Sequence, residues 1–315
     1  MARWLVTGCA GFIGSNLVEA LLARGDEVLG VDCFTDYYAR SAKEGNLAAV
    51  AGARGFRLLE ADLAEMPIAP RLADVDGVFH LAAQPGVRGS WGQTFAVYSR
   101  DNIVTTQRVF EAAAAAGKRV VWASSSSVYG NAERYPTRED VRPRPVSPYG
   151  VTKLCCEHLA VTFEESFGLD AVALRYFTVY GPRQRPDMAF SKIVSALATD
   201  GEFLVYGSGD QTRDVTYVGD AVAATIAAMD RAPAGAVYNV GGGSEISLRA
   251  VIDLAENLAG KRLRWRRTSH AAGDVRRTAA DTSRARAELG WAPATTLEQG
   301  LRAHLAWGGL LGAAA

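Results

Sequence analysis

The sequence has no excess of charge and no long apolar run. Lysine and arginine together number 34, as do aspartate and glutamate, so the formal net charge at pH 7 is zero. Binding to a phosphate backbone requires a basic surface, so this balance argues against nucleic acid as a partner. No stretch has the length of apolar sequence that crosses a membrane, and a strand pattern begins at Arg3 without a signal peptide before it. We therefore expect a cytoplasmic protein without a membrane partner.

Cysteine is scarce, and its spacing does not fit a metal site or a disulfide framework. Cys9, Cys33, Cys155 and Cys156 form no CxxC pair, so we expect reduced thiols and no bound metal. Internal repeats and low-complexity linkers are also absent from the 315 residues. With 49% hydrophobic and 22% charged residues, the chain has the composition of a globular protein with a sizeable core.

A glycine-rich turn after the first strand pattern predicts a dinucleotide site. Gly8, Gly11 and Gly14 allow a tight turn, close approach to a pyrophosphate and packing of helix on strand. Such a turn is weak evidence alone, but the second strand pattern ends in Asp32, about 20 residues further on. A carboxylate there can bind both ribose hydroxyls and repels a 2′-phosphate, which favours NAD over NADP. Arg40 is the residue that can reverse this preference.

Strand and helix patterns alternate, which predicts an α/β fold with a Rossmann-type, doubly wound parallel sheet. The strand patterns in the first part cover 3–7, 27–31, 56–59, 78–80, 119–124 and 171–176, and helices are predicted up to residue 24 and at 102–116 and 149–167. Beyond residue 178 the predicted helices are 189–199, 219–230, 247–259, 282–289 and 297–307, with short strands near 203–206, 236–240 and 263–267. We assign residues 1–178 to the NAD-binding Rossmann domain, to which some later segments return. Residues 179–315 are predicted to form mainly a smaller α/β substrate lobe.

The chemistry is predicted between Ser124 and Lys153. A strand pattern runs into the serines 124–127, and the carboxyl ends of strands in an open α/β sheet face the ligand crevice. Pro148 marks a helix start, so Tyr149 and Lys153 are expected on successive turns of one helix face. A free phenol loses its proton at about pH 10, and a nearby ammonium favours the phenolate, which then serves as a base near neutrality. A lone Tyr-x-x-x-Lys is more often part of an ordinary surface helix, so the rest of the chain must decide.

Other polar residues have two interpretations. Asp62 follows the third strand pattern, where it can bind an adenine amine or cap a helix, and His80 is expected to pack within the sheet. Arg183, Arg185 and Arg213 lie in loops beside glycine or proline, where their forked donors suit phosphate or carboxylate, although a solvated surface charge is about equally expected for each. The basic run 261–267 fits an edge strand with one charged face better than a nucleic-acid patch.

Spaced motifs recur along nearly the whole chain. They are Thr7-Gly8-x-x-Gly11-x-x-Gly14, Asp32, Asp62-Leu63, His80-Leu81-Ala82-Ala83, Val128-Tyr129-Gly130, Tyr149-x-x-x-Lys153, Arg175-Tyr176-Phe177, Tyr180-Gly181-Pro182, Arg213-Asp214-x-x-Tyr217-Val218, Tyr238-Asn239-Val240-Gly241, Asp281-x-Ser283 and Leu289-Gly290-Trp291. This set resembles the extended short-chain dehydrogenase/reductase family, in its nucleotide-sugar epimerase/dehydratase branch. Segments 85–88 and 177–190 resemble the UDP-glucuronic acid 4-epimerase subgroup within it, and Thr178 stands where many relatives have asparagine.

The resemblance implies a role for individual residues. Catalysis is expected from Tyr149, Lys153 and Ser125. NAD, tightly bound and regenerated in each turnover, is expected to contact Gly8, Gly11, Phe12, Ile13, Gly14, Asp32, Asp62, Leu63, Leu81, Ala82, Ala83, Gln84, Asn102, Tyr149, Lys153 and Tyr176. A UDP-sugar is expected to contact Ser126, Ser127, Arg88, Thr178, Arg185, Met188, Arg213, Asp274 and Arg276. The family also implies a homodimer, formed through the helices that start near Asn102 and Tyr149.

The implied reaction is 4-epimerisation of UDP-glucuronic acid to UDP-galacturonic acid through a transient 4-keto sugar, without decarboxylation. Related decarboxylases place a glutamate at the position of Ser127, and 4,6-dehydratases place an Asp-Glu pair at Ser126 and Ser127. Hydroxyls at both positions leave epimerisation as the expected chemistry, with Arg185 holding the sugar carboxylate. Another nucleotide-sugar enzyme of this fold stays open, such as a neutral UDP-hexose epimerase, a decarboxylase or a reductase. A non-catalytic dinucleotide-binding protein is disfavoured by the intact Ser125, Tyr149 and Lys153.

Overall fold

The computed structural model describes residues 1–269 and 273–312. The strands are β1 (Arg3–Thr7), β2 (Glu27–Asp32), β3 (Phe56–Glu60), β4 (Gly77–His80), β5 (Arg119–Ser125), β6 (Ala171–Tyr176), β7 (Thr178–Tyr180), β8 (Glu202–Tyr206), β9 (Thr212–Tyr217), β10 (Val237–Val240), β11 (Glu245–Ser247) and β12 (Arg264–Thr268). The α-helices are α1 (Phe12–Ala23), α2 (Arg40–Leu47), α3 (Ala69–Leu72), α4 (Phe95–Tyr98), α5 (Thr105–Ala116), α6 (Pro148–Phe167), α7 (Ala189–Thr199), α8 (Val218–Arg231), α9 (Leu248–Ala259), α10 (Ser283–Leu289) and α11 (Leu297–Trp307).

A seven-stranded parallel sheet lies at the centre, in the order β10-β6-β5-β4-β1-β2-β3. Helices cover both of its faces, because alternate residues of the buried strands point to opposite sides. Trp4 and Val6 pack in one core with α1 and α8, whereas Leu5 packs in the other with residues of α5 and α6. The predicted Rossmann-type fold class is confirmed.

The second half of the chain builds a further core and also extends the central sheet. Phe190, Ile193, Phe203 and Leu305 pack together where α7, β8, α9 and α11 meet. The predicted strand near 236–240 is β10, which joins β6 at the edge of the seven-stranded sheet. The helix predicted from residue 102 begins instead with a π-helical turn over Ser99–Val104, which α5 continues.

Several elements were not predicted. α2 follows the loop after β2, and β7, β9 and β11 form a three-stranded sheet in the second half. These strands have three to six residues, too short for a clear alternation of apolar and polar side chains. Within the described residues β12 pairs with β8 alone, as expected of an edge strand, and exposes Arg264 and Arg266 on one face and Arg267 on the other. Over the described ranges, no helix is long and apolar enough to cross a bilayer.

Candidate active site

A cavity of about 660 Å³ opens at the carboxyl ends of the central strands. Most predicted site residues line it: Gly8, Gly11, Phe12, Ile13, Gly14, Asp32, Asp62, Leu63, Leu81, Ala82, Ala83, Gln84, Arg88, Ser125, Ser126, Ser127, Tyr149, Lys153, Tyr176, Thr178, Arg185, Met188 and Asp274. Residues from both halves of the chain therefore share one space. It is large enough for a ligand that runs from the glycine-rich turn to the second half of the fold.

The glycine-rich turn forms a close-fitting cradle at one end of this cavity. A Cβ atom on Gly14 would lie 2.1 Å from the Gly8 carbonyl oxygen, and Gly8 has a φ of +69° beside the Ala82 backbone. In the described structure, no side chain caps the start of α1, and its first turn carries no acidic residue. The uncapped N–H groups and the helix dipole favour an anion here, so the cradle fits the diphosphate of a dinucleotide.

Asp32 closes the cradle on the side of β2. Its Oδ2 accepts a hydrogen bond from Ala10 N at 3.1 Å, and its Oδ1 accepts one from Phe34 N at 2.8 Å. Both bonds use backbone donors, so the carboxylate is fixed at the end of β2 and can still accept bonds from ribose hydroxyls. The residue present therefore fits the predicted ribose contact.

Arg40, which could have reversed the preference for NAD, does not line the cavity. Its guanidinium donates to both carboxylate oxygens of Glu60, at 2.8 and 2.6 Å, and to Glu44 at 2.8 Å. The group also lies 4.6 Å from the centre of the Phe34 ring. Because two carboxylates pair with its guanidinium outside the cavity, Arg40 does not reverse the preference for NAD.

Sequence reasoning missed Lys43, a buried residue of α2 that lines the same cavity. Its ammonium donates to the Thr35 carbonyl oxygen at 2.8 Å and to Thr35 Oγ1 at 3.0 Å. Burial lowers its pKa, and the negative charge of Asp32 opposes that change. No helix was predicted over α2, and a lysine is far more often a surface residue, so nothing in the sequence indicated a buried position.

The predicted catalytic residues meet at the end of β5. Ser147 caps α6 by accepting a hydrogen bond from Gly150 N at 3.1 Å, and Pro148 suits the first helical position. The Lys153 Nζ atom lies 6.0 Å from the centre of the Tyr149 ring and donates to the Ala123 carbonyl oxygen at 2.8 Å. The phenol and the ammonium therefore lie on one helix face above the strand end.

Ser124 and Ser125, the first two serines of the run 124–127, have different roles. Ser124 Oγ donates to Glu157 Oε1 at 2.6 Å and so belongs to a buried network with Arg175. Ser125 Oγ accepts a hydrogen bond from Ser127 N at 3.1 Å, which leaves its own proton available. The hydroxyl of Ser125 can therefore donate to an oxygen atom of a ligand.

Arg185 is held inside the cavity by a carboxylate of its own loop. Its Nε and Nη2 atoms donate to the two oxygens of Asp187, at 3.0 and 3.1 Å. Burial works to lower the pKa of Arg185, but Asp187 outweighs burial, and the pKa is raised. The Tyr37 hydroxyl donates to Asp187 Oδ2 at 3.2 Å, and burial together with Asp187 raises the pKa of Tyr37 to about 12. The guanidinium therefore has a partner without any ligand.

Three predicted contacts lie elsewhere. Asn102 does not line the cavity and is fully buried. Its Oδ1 atom accepts a hydrogen bond from Gln84 N at 2.7 Å, and its Nδ2 atom donates to Gln84 O at 3.1 Å and to Thr152 Oγ1 at 3.0 Å. Asn102 thus positions Gln84, which does line the cavity, instead of facing a ligand. Arg213 faces an adjoining cavity of about 150 Å³, and Arg276 is exposed and lines neither cavity. Neither position can be read from a loop sequence.

Asp62 does not cap a helix but holds the turn after β3, and His80 packs in the sheet. Asp62 Oδ1 accepts a hydrogen bond from Ala64 N at 2.8 Å, and Oδ2 pairs with Arg100, while the residue also lines the cavity. The His80 ring is buried between Thr7 Oγ1 and Thr106 Oγ1, at 2.8 and 3.1 Å. His80 therefore packs in the sheet. Among the described residues, no cluster of three potential metal ligands occurs.

A glycine cradle and a Ser, Tyr and Lys set on one cavity of a Rossmann sheet define the short-chain dehydrogenase/reductase class. A protein-family model described as GDP-mannose 4,6 dehydratase matches residues 5–304. The chain belongs to this family of extended short-chain dehydrogenases/reductases.

Comparison with individual proteins gives three informative matches. The chain is 40% identical over 306 residues to a protein of Bacillus subtilis described as an uncharacterized UDP-glucose epimerase, YtcB, covering 96% of each chain. The crystal structure of UDP-glucuronic acid 4-epimerase from Bacillus cereus, in complex with UDP-glucuronic acid and NAD, matches with a TM-score of 0.94 and 39% identity, covering 98% of this chain and 99% of that one. MoeE5, solved with NAD and either UDP-glucuronic acid or UDP-glucose, matches with a TM-score of 0.88 and 42% identity, covering 97% and 98%.

Proposed function

We propose that the protein is an NAD-dependent UDP-sugar 4-epimerase that converts UDP-glucuronic acid to UDP-galacturonic acid. The observation that carries the proposal is the single cavity in which Tyr149, Lys153 and Ser125 meet hydroxyl side chains and Arg185. Similarity to the Bacillus cereus epimerase with UDP-glucuronic acid and NAD supports the choice of substrate and cofactor.

The proposed mechanism is redox-neutral. NAD, held by the glycine cradle and Asp32, supplies reversible hydride transfer at C4 of the sugar. Tyr149, with the Lys153 ammonium beside it, acts as the base that takes the proton of the C4 hydroxyl, while Ser125 donates a hydrogen bond to the same oxygen. After the keto sugar has turned over in the cavity, the hydride would return to the opposite face of C4, and Tyr149 would return the proton to the C4 oxygen.

The residues around the sugar explain why carbon dioxide is retained in this proposal. Ser126, Ser127 and Thr178 line the cavity beside Tyr149 and present hydroxyls, not acids. A hydroxyl can hold a carboxylate by donating to it, but it is too weak an acid to protonate a leaving group or a carbanion. Ser126, Ser127 and Thr178 can therefore hold the carboxylate of the keto sugar without themselves assisting its loss.

A direct assay tests the proposed function. Purified protein is incubated with UDP-glucuronate without added NADH, and the products are separated and identified together with any protein-bound nucleotide. We expect UDP-galacturonate and bound NAD. UDP-pentose as the main product would show that the protein is a decarboxylase and not an epimerase. The absence of turnover would favour a protein that binds the dinucleotide without catalysis.

The second candidate is a 4-epimerase for neutral UDP-hexoses alone. The 40% identity to the Bacillus subtilis protein described as a UDP-glucose epimerase favours it. The same assay with UDP-glucose and UDP-N-acetylglucosamine separates the two candidates. Turnover of a neutral sugar together with no turnover of UDP-glucuronate would favour this second candidate.

We infer that residues 1–178 hold the dinucleotide and that residues 179–315 mainly hold the UDP-sugar, with β10 returning to the central sheet.

A homodimer is supported by the exposed apolar side chains of Val104, Val151, Val161 and Phe167. A cytoplasmic location is supported by the four free thiols, which suit a reducing compartment. Size-exclusion chromatography with light scattering tests the dimer, since a monomeric mass would contradict it.

A further inference from the structure

Two loops from different halves of the chain meet at the cavity through Tyr37 and Asp187. The β2 loop (residues 33–39) follows β2, and the arginine loop (residues 181–188) follows β7 and carries Arg185. The Tyr37 hydroxyl donates to Asp187 Oδ2 at 3.2 Å, and the Arg185 guanidinium lies 5.9 Å from the centre of the Tyr37 ring. All three side chains line the cavity, so this contact joins two sides of the same space.

Gly86, in the loop after β4, makes room for the Tyr37 side chain. Its φ is +100°, and a Cβ atom at this position would lie 2.7 Å from the Tyr37 hydroxyl oxygen. A glycine is therefore needed where the phenol passes close to the backbone. Tyr37 is held against a third loop while it reaches Asp187.

The β2 loop is anchored to the glycine cradle at its base. Asp32 accepts hydrogen bonds from Ala10 N, in the cradle, and from Phe34 N, in the loop, at 3.1 and 2.8 Å. The buried Lys43 donates to the carbonyl oxygen and the hydroxyl of Thr35, at 2.8 and 3.0 Å. The base of the loop can move away from the cradle only if several charge-assisted hydrogen bonds break.

The arginine loop is anchored to α1, the helix that begins at the cradle. Asn16 Nδ2 donates to the Pro182 carbonyl oxygen at 3.4 Å, and Arg183 Nη2 pairs with Glu19 Oε1 at 2.6 Å. Arg183 has a φ of +68°, which is unfavourable for a residue with a side chain. The loop therefore keeps this shape because its contacts with α1 hold it.

The cradle, α1 and the two loops form a closed ring, which the hydrogen bond between Tyr37 and Asp187 completes. A dinucleotide whose diphosphate lies in the cradle is enclosed by this ring. The other contacts of the ring are the covalent chain, an ion pair and the charge-assisted bonds at the base of the β2 loop. The contact between Tyr37 and Asp187 is a single hydrogen bond that solvent reaches, since the Asp187 side chain is 38% exposed. It is the contact that opens most easily.

We propose that Tyr37 and Asp187 form a latch that retains NAD, and that the dinucleotide enters and leaves the cavity where this hydrogen bond opens. The inference rests on the proposed function for the identity of the cofactor. It adds that Tyr37 acts through Asp187, as a positioning residue that closes the ring, and not through the reacting atoms.

The test measures NAD exchange in wild type, in Tyr37→Phe and in the control Tyr135→Phe. Tyr37→Phe removes one hydroxyl and keeps the ring. Tyr135 lines neither described cavity, and its hydroxyl donates to the Arg277 carbonyl oxygen at the same distance of 3.2 Å. Protein loaded with isotopically labelled NAD is mixed with excess unlabelled NAD, which gives the dissociation rate. Calorimetry gives the dissociation constant, and the two together give the association rate.

A latch controls entry as well as exit. We therefore expect Tyr37→Phe to raise both the dissociation rate and the association rate of NAD by about fivefold or more, with a smaller change in the dissociation constant. Loss of a direct contact between the hydroxyl and NAD would instead raise the dissociation rate alone. Tyr135→Phe should keep the wild-type rates.

A double-mutant cycle with Asp187→Ala tests whether the contact itself retains NAD. If Tyr37 acts through Asp187, then Tyr37→Phe adds nothing to the exchange rate of the Asp187→Ala variant. Additive effects of the two substitutions, or an increase in the dissociation rate alone, would overturn the latch.

NAD exchange is measured without turnover, so the latch and the proposed function can fail separately. Turnover of UDP-glucuronate with unchanged NAD exchange in Tyr37→Phe would overturn the latch alone. Exchange that depends on Tyr37 and Asp187, without turnover of any UDP-sugar, would overturn the proposed function and support the latch. A protein that binds no NAD would overturn both.

Discussion

The Lys153 ammonium donates a hydrogen bond to the Ala123 carbonyl oxygen at 2.8 Å and thereby ties α6 to the end of β5. This contact fixes the charge beneath the Tyr149 ring, one helical turn away on the same face. A helix and a strand end that are 30 residues apart in sequence are thus held in one fixed arrangement.

Replacing Lys153 by methionine tests the role of this charge. The variant keeps the length of the side chain but removes the ammonium and its hydrogen bond to Ala123 O, so the base at Tyr149 loses the positive charge beside it. We expect kcat to fall by about 10²- to 10⁴-fold. Steady-state kinetics measure kcat, and an unchanged kcat in the variant would contradict the role of the charge.

Replacing Gly14 by alanine tests the cradle. The new Cβ atom would lie 2.1 Å from the Gly8 carbonyl oxygen, so the turn must shift away from the geometry that holds a diphosphate. We expect at least a tenfold loss of NAD affinity by calorimetry, since a shifted turn misplaces its N–H donors. Gly45→Ala is the matched control, because its Cβ meets nothing within 4 Å. Unchanged affinity in Gly14→Ala would contradict the assignment of the cradle.

The buried pair of Glu157 and Arg175 is expected to be important for stability. Arg175 donates to both carboxylate oxygens of Glu157, at 2.9 and 2.7 Å, and the two side chains are only 9% and 6% exposed. Glu157→Gln leaves the arginine charge uncompensated, which we expect to lower the free energy of unfolding by about 3 to 5 kcal/mol. Urea denaturation of the wild type and of the variant measures this change in the free energy of unfolding.

The matched control for this pair is Glu298→Gln, which breaks an exposed i,i+4 pair with Arg302. We expect a loss below about 1 kcal/mol there, because solvent screens exposed charges. Equal effects of the two substitutions would show that burial does not set the importance of the Glu157 pair.

His304 predicts a pH dependence of stability. Its ring is buried in the core formed by α7, α9 and α11, and neither ring nitrogen has a hydrogen-bond partner among the described residues. Burial lowers the pKa of His304 from 6.5 to about 4. The unfolded chain therefore takes up a proton before the folded protein does. The contribution of the neutral His304 ring to the free energy of unfolding is fully present above pH 6.5. It is lost as the pH falls toward 4, by about 1.4 kcal/mol for each pH unit.

The measurement is the free energy of unfolding between pH 7 and 4.5, in wild type and in His304→Leu. We expect a shallower decline in the variant, since its apolar side chain takes up no proton. His158→Leu, at an exposed position of α6, should keep the wild-type slope. Identical slopes in wild type and His304→Leu would refute the assignment.

The sequence predicted the parts of the site that depend on local geometry. The glycine cradle, Asp32 at the end of β2 and the Tyr149 and Lys153 pair follow from glycine conformations, strand ends and helical spacing. In the structure these residues line one cavity, and their contacts with a ligand stay predictions.

Features that depend on tertiary packing were not predictable in the same way. Asp187 is two residues from Arg185, but nothing in the local sequence shows that they pair inside the cavity. Lys43 is buried only because the loop after β2 folds back over it. Asn102 and Arg276 were assigned by resemblance, and the packing places one beneath the cavity and the other outside it.

The most direct test follows the sugar itself. Purified protein with its bound nucleotide is given UDP-glucuronate in deuterated water, without added NADH, and the product is identified by NMR. The account predicts UDP-galacturonate with no solvent deuterium at C4, because the hydride that leaves C4 is the one that returns. Deuterium at C4, or UDP-pentose as the main product, would contradict it.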